Sequence, residues 1–231
     1  MRAKILFLFI TIFSLINISA QSEINQIDVN GERHGIWKKN FPKSKQVRYE
    51  GQFEHGKEKG LFKFYCEECG TNPMATKDFL ENDIVNVKYF TIKGKLVSEG
   101  QMKDKNRIGE WLYYHEKSNK VMTRENYVSG KLDGVKTTYY GNDVVAETVT
   151  YKQGLMEGTN NHYSYDAILL KALNYSNDKL HGTAVYYDVR GDKLLEGQYK
   201  KGRKDGVWKT FKDGKLEKEE TFPKPQDKRG N

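Results

Sequence analysis

The segment EGQYKKGRKDGVWKTFKDGK, residues 196–215, decides the fold because it holds one complete copy of the unit from which the chain is built. A short alternating stretch leads into a turn predicted over Gly202–Gly206. A second alternating stretch, Val207–Phe211, ends at a further turn over Lys212–Lys215. Asp-Gly between alternating stretches is a strong hairpin signal, because such turns need positive φ. The segment therefore predicts a β-hairpin.

The hairpin recurs along the chain about every 24 residues. Seven glycines, starting at Gly35, are separated by 25, 49, 25, 24, 24 and 24 residues. The double step of 49 predicts a unit without this glycine near residue 85, and Asn86 occupies the glycine column there. Asn82 occupies a second column, four residues earlier, which holds glycine in five of the eight units. Asn tolerates positive φ better than most residues. We therefore expect eight structural turn positions: Gly35, Gly60, Asn86, Gly109, Gly134, Gly158, Gly182 and Gly206.

Eight hairpin units predict an all-β fold, an antiparallel meander of roughly sixteen short strands in one twisted, solenoid-like sheet. Apolar residues make up 37% of the chain, below the usual 45–50% or so, which suits a thin sheet with two wet faces. Asp28 marks the first unit, where six of the seven other units carry an aromatic residue. Pro223 and Pro225 cut a ninth unit short and protect the sheet edge. We expect the repeat domain over 21–222 and a disordered tail over 223–231.

Two columns of aromatic residues run through the repeat. Trp37, Trp111 and Trp208 stand two residues after the glycine, and a column of Tyr or Phe stands five after it. Strand alternation places the two columns on opposite faces, so the sequence leaves open which face binds a ligand. Tyr and Trp are favoured at interfaces. The expected binding residues are Trp37, Trp111, Trp208, Tyr114, Tyr139, Tyr163, Tyr187 and Phe211.

The first twenty residues have the pattern of a secretory signal peptide. Arg2 and Lys4 precede the apolar run Ile5–Ile16, and a small residue, Ala20, closes the segment. The run is shorter than the roughly 20 residues needed to span a bilayer; a retained N-terminal anchor is the alternative. No cysteine stands at the junction, so we expect no lipid attachment there. The sequence predicts an exported chain, periplasmic, secreted or at the cell surface, that does not span the membrane after signal removal.

The only two cysteines, Cys66 and Cys69, form a Cys-Glu-Glu-Cys turn. Residues i and i+3 of a β-turn lie close enough for a disulfide, and an exported setting favours oxidation. A metal site, a redox-active pair and two free thiols are the alternatives. The five histidines show no partner spacing for a metal site, so no metal or cofactor is expected.

Motifs of catalysis are absent from the sequence: there is no Gly-x-Ser-x-Gly, no His-Glu-x-x-His and no P-loop. Turn carboxylates such as Asp133 and Asp205 are explained by turn chemistry. The net charge of +8 falls by two when Arg2 and Lys4 are removed, and the charges are interspersed. This weak basic bias suits anionic partners such as lipid headgroups, but not nucleic acid. We expect no enzyme.

A unit of the form Tyr-x-x-Gly-Lys-x-x-Gly-x-x-x-x-Tyr resembles the MORN repeat, in the bacterial variant named YwqK-like antitoxin. The segments YVSGKLDGVKTTYY, YKQGLMEGTNNHYSY and QYKKGRKDGVWKTF carry the resemblance, together with the Glu-Gly pairs at 50–51, 99–100 and 196–197. It covers about residues 28–222. The resemblance implies a scaffold for protein partners and sometimes phospholipid. An antitoxin-type role is also implied, although an antitoxin normally meets its toxin inside the cell.

The function expected from the sequence is an exported, non-enzymatic scaffold that binds a protein partner. The main alternative is a module that binds glycan or cell envelope through its ladder of rings. Trp in only three of the eight units, at Trp37, Trp111 and Trp208, speaks against that alternative.

Overall fold

The computed structural model describes residues 23–68 and 70–224. It confirms the predicted all-β class: nineteen strands form an open antiparallel sheet in meander order, and the described residues hold no α-helix. The strands outnumber the sixteen expected because breaks before Gly134 and Gly182 each divide one strand, and the ninth unit adds the last strand, Lys215–Phe222. The predicted signal segment and residues 225–231 of the predicted tail lie outside the described residues.

The strands follow one another along the chain with short connections, and one 3₁₀ turn, Glu81–Asp83, lies between the strands that end at Phe79 and begin at Ile84. The strands are β1 Gln26–Ile27, β2 Arg33–Asn40, β3 Val47–Glu54, β4 Lys57–Phe64, β5 Ala75–Phe79, β6 Ile84–Phe90, β7 Leu96–Lys103, β8 Asn106–Tyr114, β9 Val121–Val128, β10 Lys131–Leu132, β11 Gly134–Tyr139, β12 Val145–Lys152, β13 Leu155–Tyr163, β14 Leu169–Ser176, β15 Lys179–Leu180, β16 Gly182–Tyr187, β17 Lys193–Lys200, β18 Arg203–Lys212 and β19 Lys215–Phe222.

The chain reverses within most units at a two-residue turn. Lys201 and Gly202, between β17 and β18, have φ of 52° and 83°. Positive φ at both central residues is the requirement of a type I′ turn, whose twist matches that of the strands. The turn expected over Gly202–Gly206 is therefore shorter than predicted, because Arg203 already begins β18.

The repeating glycine lies in a bulge rather than in a turn. Gln198 pairs with Asp205 but Glu196 pairs with Lys209, so β18 carries two more residues than β17 over this stretch. Gly206, with φ of 69°, begins the bulge, and a bulge strengthens the local twist. Positive φ holds at Gly35, Gly60, Gly109, Gly134, Gly158, Gly182 and Gly206.

Asn86 departs from the expected turn role. It pairs in regular register with Asp78 on one side and Gln101 on the other, and it is not among the residues with positive φ. Asn82 and Asp83, with φ of 59° and 60°, take the left-handed conformation instead. The 3₁₀ turn accommodates the extra chain length, so unit three, which comprises β5 and β6, runs without the bulge at this position.

The core is one row of side chains on a single face of the sheet. We call it the aromatic face, and it carries Phe53, Phe62, Trp111 and Trp208, each at most 2% exposed. The opposite, glutamate face carries Glu50, Glu99 and Glu196. Large and small side chains alternate across strands in the core row. A Cβ atom added to Gly51, Gly100 or Gly197 would lie within 2.5 Å of the ring of Phe62, Trp111 or Trp208.

In units that lack a ring at this core position, the residue that replaces the core glycine on the neighbouring strand has a larger side chain. Ala184 packs in one core cluster with Leu173 and Trp208, and Asn160 pairs with Val149. The pairs thus keep the row filled, as close packing requires. In the described part of the chain, no helix is long and apolar enough to cross a membrane.

Candidate functional site

The tryptophans expected to bind a ligand belong largely to the core. Trp111 is 0% exposed and Trp208 2%. Their indole N–H groups donate to the carbonyls of Gln101 and Gln198, each at 3.0 Å. Trp37 is half-buried and donates to the carbonyl of Gln26 at 3.0 Å. Since buried rings offer no surface, we leave Trp111 and Trp208 out of the candidate binding surface.

The Tyr column lies on the glutamate face and is half-buried. The Tyr65 hydroxyl donates to Glu50 at 2.7 Å, and that of Tyr114 donates to Glu99. Burial, followed by these hydrogen bonds, raises the pKa of both tyrosines to about 12. These hydroxyls are therefore held within the sheet. The other members of the column are half-buried as well: Tyr139, Tyr163, Tyr187 and Phe211.

Basic side chains cover the rings of the aromatic face. The Arg107 guanidinium lies 4.4 Å from the centre of the Trp111 ring, and the Lys204 ammonium 4.2 Å from that of Trp208. Such cation–π contacts contribute about 0.5–2 kcal/mol. A stacked ligand would have to displace them.

Turns of neighbouring units are joined by backbone hydrogen bonds along one edge of the array. The N–H of Gly130 donates to Arg107 at 2.9 Å, and that of Gly202 donates to Leu180 at 2.8 Å. The same bond recurs at Gly56, Gly154 and Asp178. Within the described ranges, no backbone bond of this kind joins unit three to either neighbour. Unit three lacks the bulge and turns through the 3₁₀ segment Glu81–Asp83 instead. The stack of hydrogen-bonded turns is therefore interrupted between unit three and each of its neighbours.

A hollow of about 540 Å³ opens at this interruption. Val87, 1% exposed, occupies the core row there in place of a large ring and pairs with Gly100. The floor of the hollow is apolar and consists of Phe79, Ile84, Val85, Val87 and Met102. Leu80, 45% exposed, stands at its rim. The rest of the rim is charged: Lys57, Glu58, Lys77, Asp83, Asp104 and Lys105.

Two shallower hollows lie on the glutamate face. Each has a volume of about 390 Å³; one is lined by Gly197 and Val207, the other by Gly51 and Leu61. They occupy equivalent positions in different units, so they follow from the repeat itself. The hollow at unit three lies instead where the repeat is broken. We therefore take it as the candidate functional site.

A buried charge interrupts the core row at Glu125, which is 8% exposed. Burial alone would raise the pKa of Glu125, but the Tyr127 hydroxyl and the Lys136 ammonium, at 2.7 and 3.1 Å, outweigh burial and lower it. Arg107 donates to the hydroxyls of Tyr113 and Tyr127 at 2.6 and 3.0 Å. The charged groups of this network thus have partners within the sheet, which is typical of a buried ion pair that orders its surroundings.

Asp28, His34 and His55 come together at the start of the array. One ring nitrogen of each histidine and one carboxylate oxygen of Asp28 lie within 4.8 Å of one another. The sequence reasoning missed it because the histidines lie in different units and show no motif spacing. The available signal was the departure of two repeat columns, at Asp28 and at His55. The predicted Cys66–Cys69 disulfide involves Cys69, which lies outside the described residues, and it stays a prediction.

A scan against protein-family models and a search of curated proteins each found no match. The resemblance to MORN repeats, which rests on the spacing of glycines and aromatics, therefore stays a prediction.

Proposed function

We propose that the protein is an exported, non-enzymatic scaffold that binds a protein partner through the hollow at unit three. One observation carries this proposal: where the stack of turns is interrupted at unit three, Val87 stands in the core row in place of a large ring and a hollow lined by apolar side chains opens. An apolar floor inside a charged rim suits a protruding apolar side chain of a partner, because interface hot spots fill pockets that surrounding contacts close to water.

The rim defines the partner further. Lys57, Lys77 and Lys105 face Glu58, Asp83 and Asp104 around the same hollow. This balance favours a protein surface with charges of both signs over a uniformly anionic ligand. The glycan alternative depended on exposed rings, and two of the three tryptophans are buried. No specific observation therefore favours it as a second function.

The proposal includes export and membership of the MORN-like scaffolds. Export is supported by the N-terminal residue pattern, and the MORN-like assignment by the period of about 24 residues and its glycine columns. An antitoxin-type role has no further support in the hollow or its rim.

The test compares the wild-type chain with variants of the hollow in affinity capture from a solubilised envelope fraction of the source organism. Leu80→Glu places a charge at an exposed rim position, and Val87→Trp fills the floor. The row of Trp37, Gly51 and Phe62 shows that rings on both sides of a core glycine are compatible with the sheet. Val207→Glu, at a residue 48% exposed on the glutamate face, is the matched control.

We expect a protein that is retained by the wild type and by Val207→Glu and lost with both variants of the hollow. Soluble peptidoglycan fragments should not displace it. Retention of the same proteins by all four chains would refute the hollow as the binding site. Displacement by the sugar fragments would favour the glycan reader instead.

A further inference from the structure

We propose that Asp28, His34 and His55 form a binding site for a divalent transition-metal ion of the zinc class. One ring nitrogen of each histidine and one carboxylate oxygen of Asp28 lie within 4.8 Å of one another. The His55 Nδ1 atom is 2.7 Å from the Asp28 Oδ2 atom, and the two imidazole rings are 5.0 Å apart. Zinc requires bond lengths of about 2.0–2.2 Å, so the histidine side chains would close on the ion as it binds.

The backbone fixes the carboxylate of Asp28 in place. Its Oδ1 atom accepts hydrogen bonds from the N–H groups of Asn30 and Glu32, each at 2.9 Å. The Oδ2 atom is thereby left facing His55, and the side chain of Asp28 is only 9% exposed. A carboxylate oriented by backbone donors loses little freedom on binding a cation, which favours affinity.

The sheet holds the two histidines close to this carboxylate. His34 lies in β2 and pairs with Gln26 of β1. His55 lies in the turn between β3 and β4, and the N–H of the next residue, Gly56, donates to the carbonyl of Arg33 at 2.9 Å. This bond keeps the turn of the second unit beside β2. The side chain of His55 is 64% exposed, so it retains the freedom to close on an ion.

His34 supplies an independent indication of a missing partner. Its Nδ1 atom is buried and makes no hydrogen bond within the described structure. Most buried polar atoms in native proteins are paired, and an unpaired one costs about 1–3 kcal/mol. A metal ion coordinated by this Nδ1 atom would remove this cost.

The repeat shows that the cluster is a local departure. In the seven other units the column of Asp28 holds Phe, Met or Tyr. The columns of Asp28, His34 and His55 can be compared at each junction between two units. All three hold a metal-ligating residue only where the first unit meets the second. The combination of the three is therefore specific to this junction, although singly Asp188 makes the same turn contacts as Asp28 and His181 shares the column of His34.

The donor set defines the class of metal. Two imidazoles and one carboxylate suit Zn²⁺, Ni²⁺ or Cu²⁺, whereas Mg²⁺ and Ca²⁺ prefer oxygen ligands alone. Three protein ligands leave a fourth position for water or for a group from a partner.

The test is titration of the full chain, purified without a polyhistidine tag, with ZnCl₂ in a calorimeter. Asp28→Asn keeps an acceptor for the turn, and His55→Asn keeps a residue that tolerates its φ of 47°. His162→Asn is the matched control, because His162 faces Glu147 at 3.3 Å in a histidine–carboxylate pair without a third ligand. Circular dichroism checks that each variant keeps the fold.

We expect one zinc ion per chain, and affinity at least about 10-fold lower in Asp28→Asn and His55→Asn, since even residues behind the ligands cost about 10–100-fold. The control should bind as the wild type does, and MgCl₂ should give no heat of binding. Absence of zinc binding up to millimolar concentration would overturn the proposal. So would equal affinity in all variants, which would place zinc elsewhere, such as on the cysteines.

Discussion

The ring of Trp111 lies flat across Gly100 of the neighbouring strand, so close that a Cβ atom on that glycine would stand 2.4 Å from the Cδ2 atom of the ring. Trp208 lies across Gly197 in the same way, with a corresponding distance of 2.3 Å. A single sheet has no second layer to cover its core, so it buries these rings against backbone. The Glu-Gly pairs of the repeat therefore combine two tasks, a floor for a ring on one face and a carboxylate on the other.

The first prediction concerns the space above Gly100. We expect Gly100→Ala to lower the free energy of unfolding by about 1–3 kcal/mol, because the added methyl group overpacks the ring of Trp111. Urea unfolding followed by far-UV circular dichroism measures the change. Gly141→Ala is the matched control, since nothing lies within 4 Å of a Cβ atom there. Equal stability of the two variants would show that the ring does not need the glycine.

The second prediction tests whether large and small partners exchange across the core row. Trp111→Ala alone should cost about 3–5 kcal/mol, and Gly100→Leu alone should clash with the ring. The double variant reproduces the packing of Leu173 with Ala184, so its loss should be smaller than the sum of the single losses by about 0.5–3 kcal/mol. Gly100→Leu combined with Trp208→Ala, at a different unit, serves as the control and should be additive. Additivity in both double variants would contradict complementary packing.

The third prediction concerns pH. The hydrogen bond from Lys88, and then that from Tyr114, holds the pKa of Glu99 below its ordinary value of 4.5. Because the pKa is depressed in the folded state, the stabilising contribution of Glu99 is complete above the unfolded pKa. It is lost as pH falls through the folded value. Between about pH 5 and pH 3, the wild type should therefore lose more stability than Glu99→Gln does.

Thermal unfolding at a series of pH values measures this difference. Glu217→Gln, on the exposed part of β19, is the control and should follow the wild type. Parallel curves for the wild type and Glu99→Gln would contradict the assigned contribution of Glu99.

The period of the glycines was enough to predict the sheet and its meander order, because each hairpin is a local structure. The role of those glycines was not predictable. Asp205-Gly206 has the sequence of a hairpin turn, yet it lies in a strand bulge, because Lys201 and Gly202 already reverse the chain. Asn86 occupies a glycine column in the sequence but pairs regularly, because a longer turn precedes it. The local sequence does not show which of two adjacent turn signals reverses the chain and which forms a bulge.

The candidate site was harder to predict, because burial depends on neighbouring units. Strand alternation correctly placed Trp208 and Phe211 on opposite faces of the sheet. It could not show that Trp208 is buried and covered by Lys204. The hollow at unit three results from the missing bulge. Residues of neighbouring units line it as well, so the sequence of one unit does not predict it. The degenerate unit itself was visible in the sequence as the double step of 49 residues. Its consequence for the surface required the structure.

The most direct measurement of the central claim, that a protein docks at the unit-three hollow, is site-specific photocrosslinking in the source organism. A photoreactive phenylalanine derivative replaces Leu80 at the rim of the hollow or Val207 on the glutamate face, residues of similar exposure, 45% and 48%. We predict one discrete crosslinked protein from position 80 and none from position 207. No crosslink at position 80, or the same products from both positions, would contradict the account.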